Sequence, residues 1–455
     1  MVPTRVGRYG IIVGMESQTW IGETSHGMVV VRWVDGRLVL DQPTAARFRT
    51  PLTQVAEFPT DFAGRAGWYE SGGERVLLTH FPDSYFGEPM LVACTGDRVV
   101  RLYPVGEDVL RGEDGSRFDL SSLERSPAYV EHDLGTGTLI RLATPGPHPV
   151  AILAHGAATR QRDINRLFAQ PFLDAGVGVY IYDKDTGADI FTNAGTISAS
   201  MDLLAALPGV DGTRIGLFGF SNSMWSVPMV ATRRGDVAFI AGIGSPGVSQ
   251  AGSETHRRTK ILREAGVSEP SVAAVGQAWR LIFAVAGAGT AAAEQAEELQ
   301  GVLAEVGRLP DLSRYEPPDY VRNNPMLSPI PPSPAAAAEM LASLGGDGDP
   351  ELLYDPAADL ARVTCPVFLQ YGEFDTSVPV AASVERVAAA LAKAGVPHNI
   401  KVYPGLEHML NVIPAGIPAS LLETSIHGFH RFSFGAGVRA DLRDWLVKLH
   451  SRPKA

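Results

Sequence analysis

Short apolar runs alternate with helical patterns along the chain from about residue 130 onward. The apolar runs are typical of strands buried on both faces of a sheet, and they lie at 138–142, 150–154, 177–182, 214–218, 238–243, 367–371 and 400–403. Helical patterns separate them at 163–175, 198–207, 225–233, 380–394 and 438–450. This alternation predicts an α/β fold with a mostly parallel sheet that is flanked by helices.

The first 125 residues have a different pattern, with short alternating strands and turns. Residues 29–40 form one predicted hairpin, closed at Asp35-Gly36, because that pair accepts the positive φ of a tight turn. Residues 90–102 form another, with its turn near Gly96. The pattern predicts a separate, small β-rich domain over residues 1–125.

The α/β alternation is interrupted between residues 249 and 355. Helical runs at 255–265, 271–286 and 291–306 are followed by proline-rich stretches, so this segment is predicted to be a helical insertion. It divides the α/β core into a first part, 126–248, and a second part, 356–455.

The run from Arg214 to Trp225 contains the most informative local pattern. An apolar strand is followed at once by Gly219-Phe220-Ser221-Asn222-Ser223 and then by a segment that can begin a helix. A sharp strand–helix turn of this kind can expose a nucleophilic serine, and it needs small residues two before and two after that serine. Gly219 and Ser223 occupy those positions. The alternative is an ordinary turn that is rich in small residues.

Partners for such a serine follow in a fixed order. Asp375 comes just after the strand at 367–371, and His408 comes after the strand at 400–403 and a Pro-Gly turn. The order of serine, acid and histidine, each after its own strand, is the order of an α/β-hydrolase catalytic triad. From these motifs the chain resembles the α/β-hydrolase superfamily over roughly residues 130–450.

This resemblance implies a role for each motif. His408 would take the proton of Ser221, and Asp375 would orient the imidazole. The backbone N–H groups of Asn222 and of Ala157, which follows His155-Gly156, would form the oxyanion hole.

Several assignments have competitors. Glu373 competes with Asp375 for the role of the acid, and His427 and His430 compete with His408. The spacing of His427 and His430 would also allow them to bind a metal weakly, but no third ligand is evident. Neither a metal nor another cofactor is therefore expected.

Aromatic side chains of the insertion are candidates for lining a substrate pocket under a cap, although packing onto the sheet is the simpler role for most of them. The candidates are Trp279, Phe283, Tyr315 and Tyr320.

Composition limits the class of partner. The chain has 455 residues, a net charge of −11 and two cysteines, so nucleic acid, a disulfide framework and a metal knuckle are not expected. The sequence shows neither an N-terminal apolar core of signal-peptide length nor a run of about 20 apolar residues. We therefore expect a cytoplasmic enzyme with a small-molecule acyl substrate, no membrane partner and a possible homo-oligomeric state.

Within the superfamily, the resemblance is to bacterial serine hydrolases described as prolyl-oligopeptidase-like or as acyl hydrolases. Hydrolysis of a carboxylic ester or thioester is the main expectation. An acyltransferase or cyclase, in which a substrate nucleophile replaces water, is one alternative. A prolyl-oligopeptidase-like peptidase is another, but about 125 residues are too few for the β-propeller of that class. A non-catalytic binding protein would require a broken triad.

Overall fold

The computed structural model describes residues 19–24, 27–34, 37–40, 53–54, 65–71, 73–81, 90–106, 108–112, 115–157, 161–185, 187–289, 293–312, 315–316, 328–343, 347–412 and 433–451. The chain forms two compact units. The first comprises residues 1–129 and 426–433, and the second comprises residues 130–425 and 434–455. The sequence placed the first of these boundaries near residue 125.

The N-terminal unit is rich in β-structure. Four of its strands form an antiparallel sheet of order β3-β2-β1-β4. They are β1 (Thr19–Thr24), β2 (Gly27–Val34), β3 (Arg37–Leu40) and β4 (Thr53–Gln54). Val34 pairs with Arg37, so the first predicted hairpin is present.

A second sheet of this unit is antiparallel and has the order β10-β9-β8-β7-β6-β5-β11, in which β5 to β10 form a meander and β11 pairs with β5. Its strands are β5 (Gly67–Ser71), β6 (Glu74–Phe81), β7 (Met90–Thr95), β8 (Arg98–Pro104), β9 (Val109–Gly112), β10 (Arg117–Asp119) and β11 (Glu124–Arg125). Thr95 pairs with Arg98, and Gly96 has a φ of +55°, as the second predicted hairpin requires. The described strands of this unit thus form one four-stranded and one seven-stranded sheet, not a series of repeated four-stranded blades.

The second unit is built on an eight-stranded sheet with the order β12-β13-β15-β14-β16-β17-β18-β19. Its strands are β12 (Tyr129–Asp133), β13 (Gly137–Leu142), β14 (His148–Ala154), β15 (Gly178–Tyr182), β16 (Val210–Phe220), β17 (Ile240–Ile243), β18 (Val367–Gly372) and β19 (His398–Tyr403). From β15 to β19 all neighbours are parallel, whereas β13 runs antiparallel to β15. All seven predicted strands are present, and β12 was not predicted.

Ten α-helices lie among the described residues of this unit. They are α1 (Arg166–Asp174), α2 (Ile190–Ala205), α3 (Ser223–Arg234), α4 (Gln250–Glu264), α5 (Glu269–Ala288), α6 (Ala293–Val306), α7 (Pro334–Ser343), α8 (Pro356–Leu360), α9 (Val380–Ala394) and α10 (Val438–His450). The largest difference from the predicted helices is α2, which begins well before residue 198. Asp189 caps it by accepting a hydrogen bond from the Thr192 N–H.

The insertion has a hydrophobic core of its own. Helices α4 to α7 lie between β17 and β18 in the chain, and they bury Val272, Trp279, Ile282 and Leu299 against one another. Helix α7 was not predicted from its alanine-rich sequence. The structure therefore supports a folded helical insertion in the place where the sequence located it.

Helix α5 bears on the expectation that no segment of the chain is apolar enough to cross a membrane. By length and composition it could cross a membrane, and its mean hydropathy reaches 1.3 over its most apolar window. Within the structure, however, 61% of that window is buried, mainly by neighbouring helices of the insertion. This burial is typical of a core helix.

Candidate active site

Ser221 lies in a strained turn between β16 and α3. Its φ is +53°, and Leu410 is the only other residue besides glycine with a positive φ among the described residues. This conformation is unfavourable for residues with a Cβ atom and is often found at functional sites. The Ser221 N–H donates to the carbonyl of Ile243 on β17 at 2.9 Å, which fixes the turn to the neighbouring strand. Ser221 is thereby held at the carboxyl end of the sheet, as in a nucleophile elbow.

Small neighbours make this turn possible. A Cβ atom on Gly219 would lie 2.3 Å from the Met224 sulfur and 3.1 Å from the Ser223 hydroxyl oxygen, so a larger residue there would force these side chains to move. The second small position is Ser223, whose side chain is fully buried. Its hydroxyl accepts from the Phe220 N–H at 2.9 Å and donates to the carbonyl of Phe220 (3.1 Å) or of Ala154 (3.2 Å). These bonds make Ser223 a structural residue of the elbow.

Asp375 and His408 form a hydrogen-bonded pair on the loops after β18 and β19. The His408 Nδ1 lies 2.7 Å from Asp375 Oδ2. The other carboxylate oxygen, Oδ1, accepts from the N–H groups of Ser377 and Val378, both at 2.9 Å. The Asp375 side chain has no solvent exposure, whereas that of His408 is 13% exposed. The aspartate is thus fixed from behind and presents one oxygen to the imidazole.

The elbow and this pair are close together in space. The rings of His408 and Phe220, the residue before Ser221, have centroids 5.3 Å apart. Gly244 follows Ile243, the acceptor of the Ser221 N–H, and has a φ of +59°. A Cβ atom on Gly244 would lie 2.8 Å from His408 Cε1 and 3.6 Å from Asp375 Oδ2. The serine, the histidine and the aspartate therefore meet at one end of the sheet.

The structure separates the alternative acid from this cluster. Glu373 is exposed, and its Oε2 accepts from the Gly405 N–H at 3.0 Å, so it supports the Pro-Gly turn before His408. His427 and His430 lie outside the described residues. Among the residues that are described, no group of three or more histidine, cysteine, aspartate or glutamate side chains could hold a metal ion.

One candidate oxyanion donor lies in the elbow itself, and the other lies on the loop after β14. Asn222 immediately precedes α3, where backbone N–H groups have no acceptor within the helix. Ala157 follows β14 and is exposed. Gly156 is packed so closely on Phe220 that a Cβ atom there would lie 2.8 Å from the ring. Only glycine at residue 156 allows the loop to approach the elbow this closely.

His155, which precedes Gly156 on the same loop, is a buried and neutral residue. Its side chain is fully buried, and its Nε2 contacts the carbonyl oxygen of Tyr182. Burial is the main reason that its pKa is lowered to about 4, so the imidazole is neutral at neutral pH.

The aromatic residues proposed to line a pocket have other surroundings. Trp279 is 6% exposed, stacks on Phe283 with centroids 5.5 Å apart and donates its indole N–H to the carbonyl of Pro329 at 2.8 Å. The Arg258 guanidinium covers the Trp279 ring at 4.2 Å. Tyr315 packs at the margin of the same core, and Tyr320 lies outside the described residues. The expectation that Trp279 and Phe283 line a pocket is therefore corrected, because both are core residues of the insertion.

Replacing Trp279 with alanine should mainly destabilise the insertion. Deleting a buried tryptophan typically costs about 3–5 kcal/mol, whereas Arg280→Ala, at an exposed neighbour on α5, should change stability by less than about 0.5 kcal/mol. Urea unfolding of both variants measures the difference. A change of about tenfold or more in preference among acyl substrates, with unfolding unchanged, would contradict the structural role.

Glu407, next to His408, is a buried carboxyl that the sequence did not single out. Burial raises its pKa from 4.5 to about 7, partly offset by His408. Its Oε1 accepts from the Met409 N–H at 3.0 Å. Between about pH 4.5 and pH 7 the native state thus holds a proton that the unfolded chain has lost. The stability that Glu407 contributes through this bound proton is fully present below about pH 4.5 and is lost as the pH rises through 7.

Glu407→Gln should therefore stabilise the protein in a pH-dependent manner. The amide is neutral at every pH, so the gain over the native sequence should be about 1–3 kcal/mol at pH 8 and close to zero at pH 4.5. Chemical denaturation at both pH values is the measurement. An equal gain at the two pH values would show that ionisation of Glu407 is not the cause.

Comparison with known proteins identifies a family resemblance in the second half of the core. No curated protein sequence matches the chain. Similar solved structures include the 2,6-dihydroxy-pseudo-oxynicotine hydrolase (16% identity, TM-score 0.38, covering 71% of this chain and 68% of that one). They also include acetyl xylan esterase 1 from Thermoanaerobacterium sp. JW/SL YS485 (16%, 0.35, 83% and 88%) and a thermostable esterase from Pseudomonas putida (15%, 0.37, 72% and 84%). Residues 345–414, which contain Asp375 and His408, match the Dienelactone hydrolase family.

Proposed function

We propose that this protein is a serine hydrolase that cleaves a carboxylic ester or thioester through an acyl-enzyme on Ser221. One observation carries the proposal: a serine with a φ of +53° is held at the same sheet end as a histidine paired with a buried aspartate. The match of residues 345–414 to a family of ester-cleaving enzymes supports ester chemistry.

The first half-reaction follows from the geometry of these groups. A serine hydroxyl is a weak nucleophile and needs a neighbouring base. Neutral His408 takes the Ser221 proton on Nε2 as the serine oxygen bonds to the substrate carbonyl carbon. Asp375 keeps the other proton on Nδ1 and stabilises the imidazolium. The oxyanion accepts hydrogen bonds from the N–H groups of Ala157 and Asn222.

Collapse of this tetrahedral intermediate releases the leaving group and leaves the acyl group on Ser221, and hydrolysis of that acyl-enzyme then regenerates the enzyme. The bond to the alkoxide or thiolate breaks, and His408 gives its proton to the departing oxygen or sulfur. Water then attacks the acyl-enzyme while His408 accepts one water proton. The same histidine returns that proton to Ser221 as the carboxylic acid leaves, so protons balance over the cycle.

The helical insertion is proposed to cap this site and to select the acyl group. Its first helix, α4, reaches the acid loop, because Lys260 Nζ donates to the backbone carbonyl of Asp375 at 3.2 Å. On the same helix, one turn earlier, burial lowers the pKa of His256, the charge of Lys260 lowers it further, and the charge of Asp375 partly offsets both. Residues of α4 are therefore better placed for substrate contact than Trp279 and Phe283.

Labelling with a fluorophosphonate tests the proposal, because this probe captures serines that a neighbouring base activates. We expect one adduct, at Ser221, and none in Ser221→Ala. Ser223→Ala is the matched control and should keep the adduct on Ser221, since the Ser223 hydroxyl is bonded within the elbow. Peptide mass spectrometry locates the adduct. No labelling of the native protein, or labelling that persists in Ser221→Ala, would reject the mechanism.

A further inference from the structure

Lys184 contacts the loop that carries one of the proposed oxyanion donors. It lies after β15, is 9% exposed, and its Nζ donates to the carbonyls of Gly156 at 2.7 Å and Ala157 at 3.0 Å. A buried ammonium group is costly unless its protons find acceptors. Here two consecutive carbonyls of one loop supply them.

The geometry of a peptide links this contact to catalysis. The carbonyl of Gly156 and the N–H of Ala157 belong to the same planar trans peptide, so they point in opposite directions. An ammonium group bound to the carbonyl therefore fixes the direction of the Ala157 N–H on the other side. The positive charge also polarises this peptide and strengthens its N–H as a donor.

The two ends of the loop are anchored by other residues. At the first end, His155 contacts the carbonyl of Tyr182. At the far end, the Arg162 backbone N–H donates to Asp183 Oδ1 at 2.8 Å, and its guanidinium donates to Oδ2 at 2.6 and 2.9 Å. Loss of the Lys184 ammonium should therefore free the central peptide while the loop remains attached to β15 on both sides.

We propose that Lys184 is a positioning residue that sets the Gly156–Ala157 peptide for oxyanion binding. This inference rests on the proposed function of Ser221. It assigns a role to a lysine that lies outside the predicted triad.

The test compares an ester with the matching thionoester, in which sulfur replaces the carbonyl oxygen. Sulfur is a weaker acceptor on a longer bond, so the thionoester gains less from the oxyanion hole. Lys184→Met keeps most of the aliphatic stem and removes the ammonium. In this variant we expect kcat/KM for the ester to fall about 100-fold, mostly through a lower kcat. The kcat/KM for the thionoester should fall much less. The ester-to-thionoester ratio should fall about tenfold or more.

Two controls separate positioning from general damage. Lys184→Arg retains donors and charge and should restore most of the ratio. Lys393→Met makes the same substitution at an exposed position on α9 and should change neither rate. If Lys184→Met does not fold, Lys184→Gln is measured in the same way, and we expect a smaller fall in the ratio.

Equal losses for both substrates, or an unchanged ratio, would overturn the inference and leave Lys184 with a structural role only. The underlying function is checked separately in the native protein by fluorophosphonate labelling of Ser221. A native protein that is labelled, combined with an unchanged ratio, rejects the role of Lys184 alone. A native protein that is not labelled rejects the proposed function itself.

Discussion

Replacing His408 with alanine is expected to lower kcat/KM for ester hydrolysis by about 10⁴- to 10⁶-fold. Without the imidazole, Ser221 has no base to accept its proton, and the leaving group has no acid. The ring is held by Asp375 and by Phe220, and no other imidazole among the described residues occupies this position. Steady-state kinetics with an ester that the native protein cleaves is the measurement, with circular dichroism as the check on folding.

The double variant Ser221→Ala/His408→Ala sharpens this prediction. Residues of one catalytic unit act non-additively, so the double variant should be about as slow as either single variant. His427→Ala is the control for the alternative base and should be near normal. Near-normal activity of His408→Ala together with a large loss in His427→Ala would place the base outside the described residues.

Replacing Asp375 with asparagine is expected to lower kcat by up to about 10⁴-fold while the fold is retained. The reason lies in the backbone around the carboxylate. The N–H groups of Ser377 and Val378 both donate to Oδ1, so the asparagine oxygen will occupy that position. Its NH₂ group then faces His408 Nδ1 and donates to it. This moves the imidazole proton to Nε2, where it blocks acceptance of the serine proton.

Glu373→Gln is the matched control for this prediction. The Glu373 carboxylate is exposed and accepts a hydrogen bond from the Gly405 N–H, and the amide oxygen of glutamine can accept the same bond. We expect a change in kcat of less than about threefold, because exposed substitutions away from a buried network have small effects. If Glu373→Gln instead lost most of its kcat and Asp375→Asn kept a near-normal kcat, the assignment of Asp375 as the acid would be wrong.

The sequence determined the features that depend on neighbours along the chain. Buried strands appear as apolar runs, and the strands at 150–154, 214–218 and 367–371 are present in the structure with small shifts at their ends. The elbow could be located because the small residues that its turn requires lie within a few positions of Ser221. Helix α2 was predicted to begin only at residue 198, and the turns before that position contain threonine, asparagine and glycine, which have weak helix propensity. Its early start is stabilised by the Asp189 cap.

Only the tertiary structure decided how distant side chains are used. Asp375 and Glu373 both follow β18. Two backbone N–H groups and His408 surround the carboxylate of Asp375, whereas the carboxylate of Glu373 faces solvent. Trp279 is a large aromatic residue of the kind that often lines pockets, yet Arg258 and Pro329 enclose it in the insertion. Lys184 reaches Gly156 across a parallel strand pair, from more than 25 residues away in the sequence. Such contacts depend on how the strands are ordered in the sheet, and the pattern of apolar and polar residues along the chain does not reveal that order.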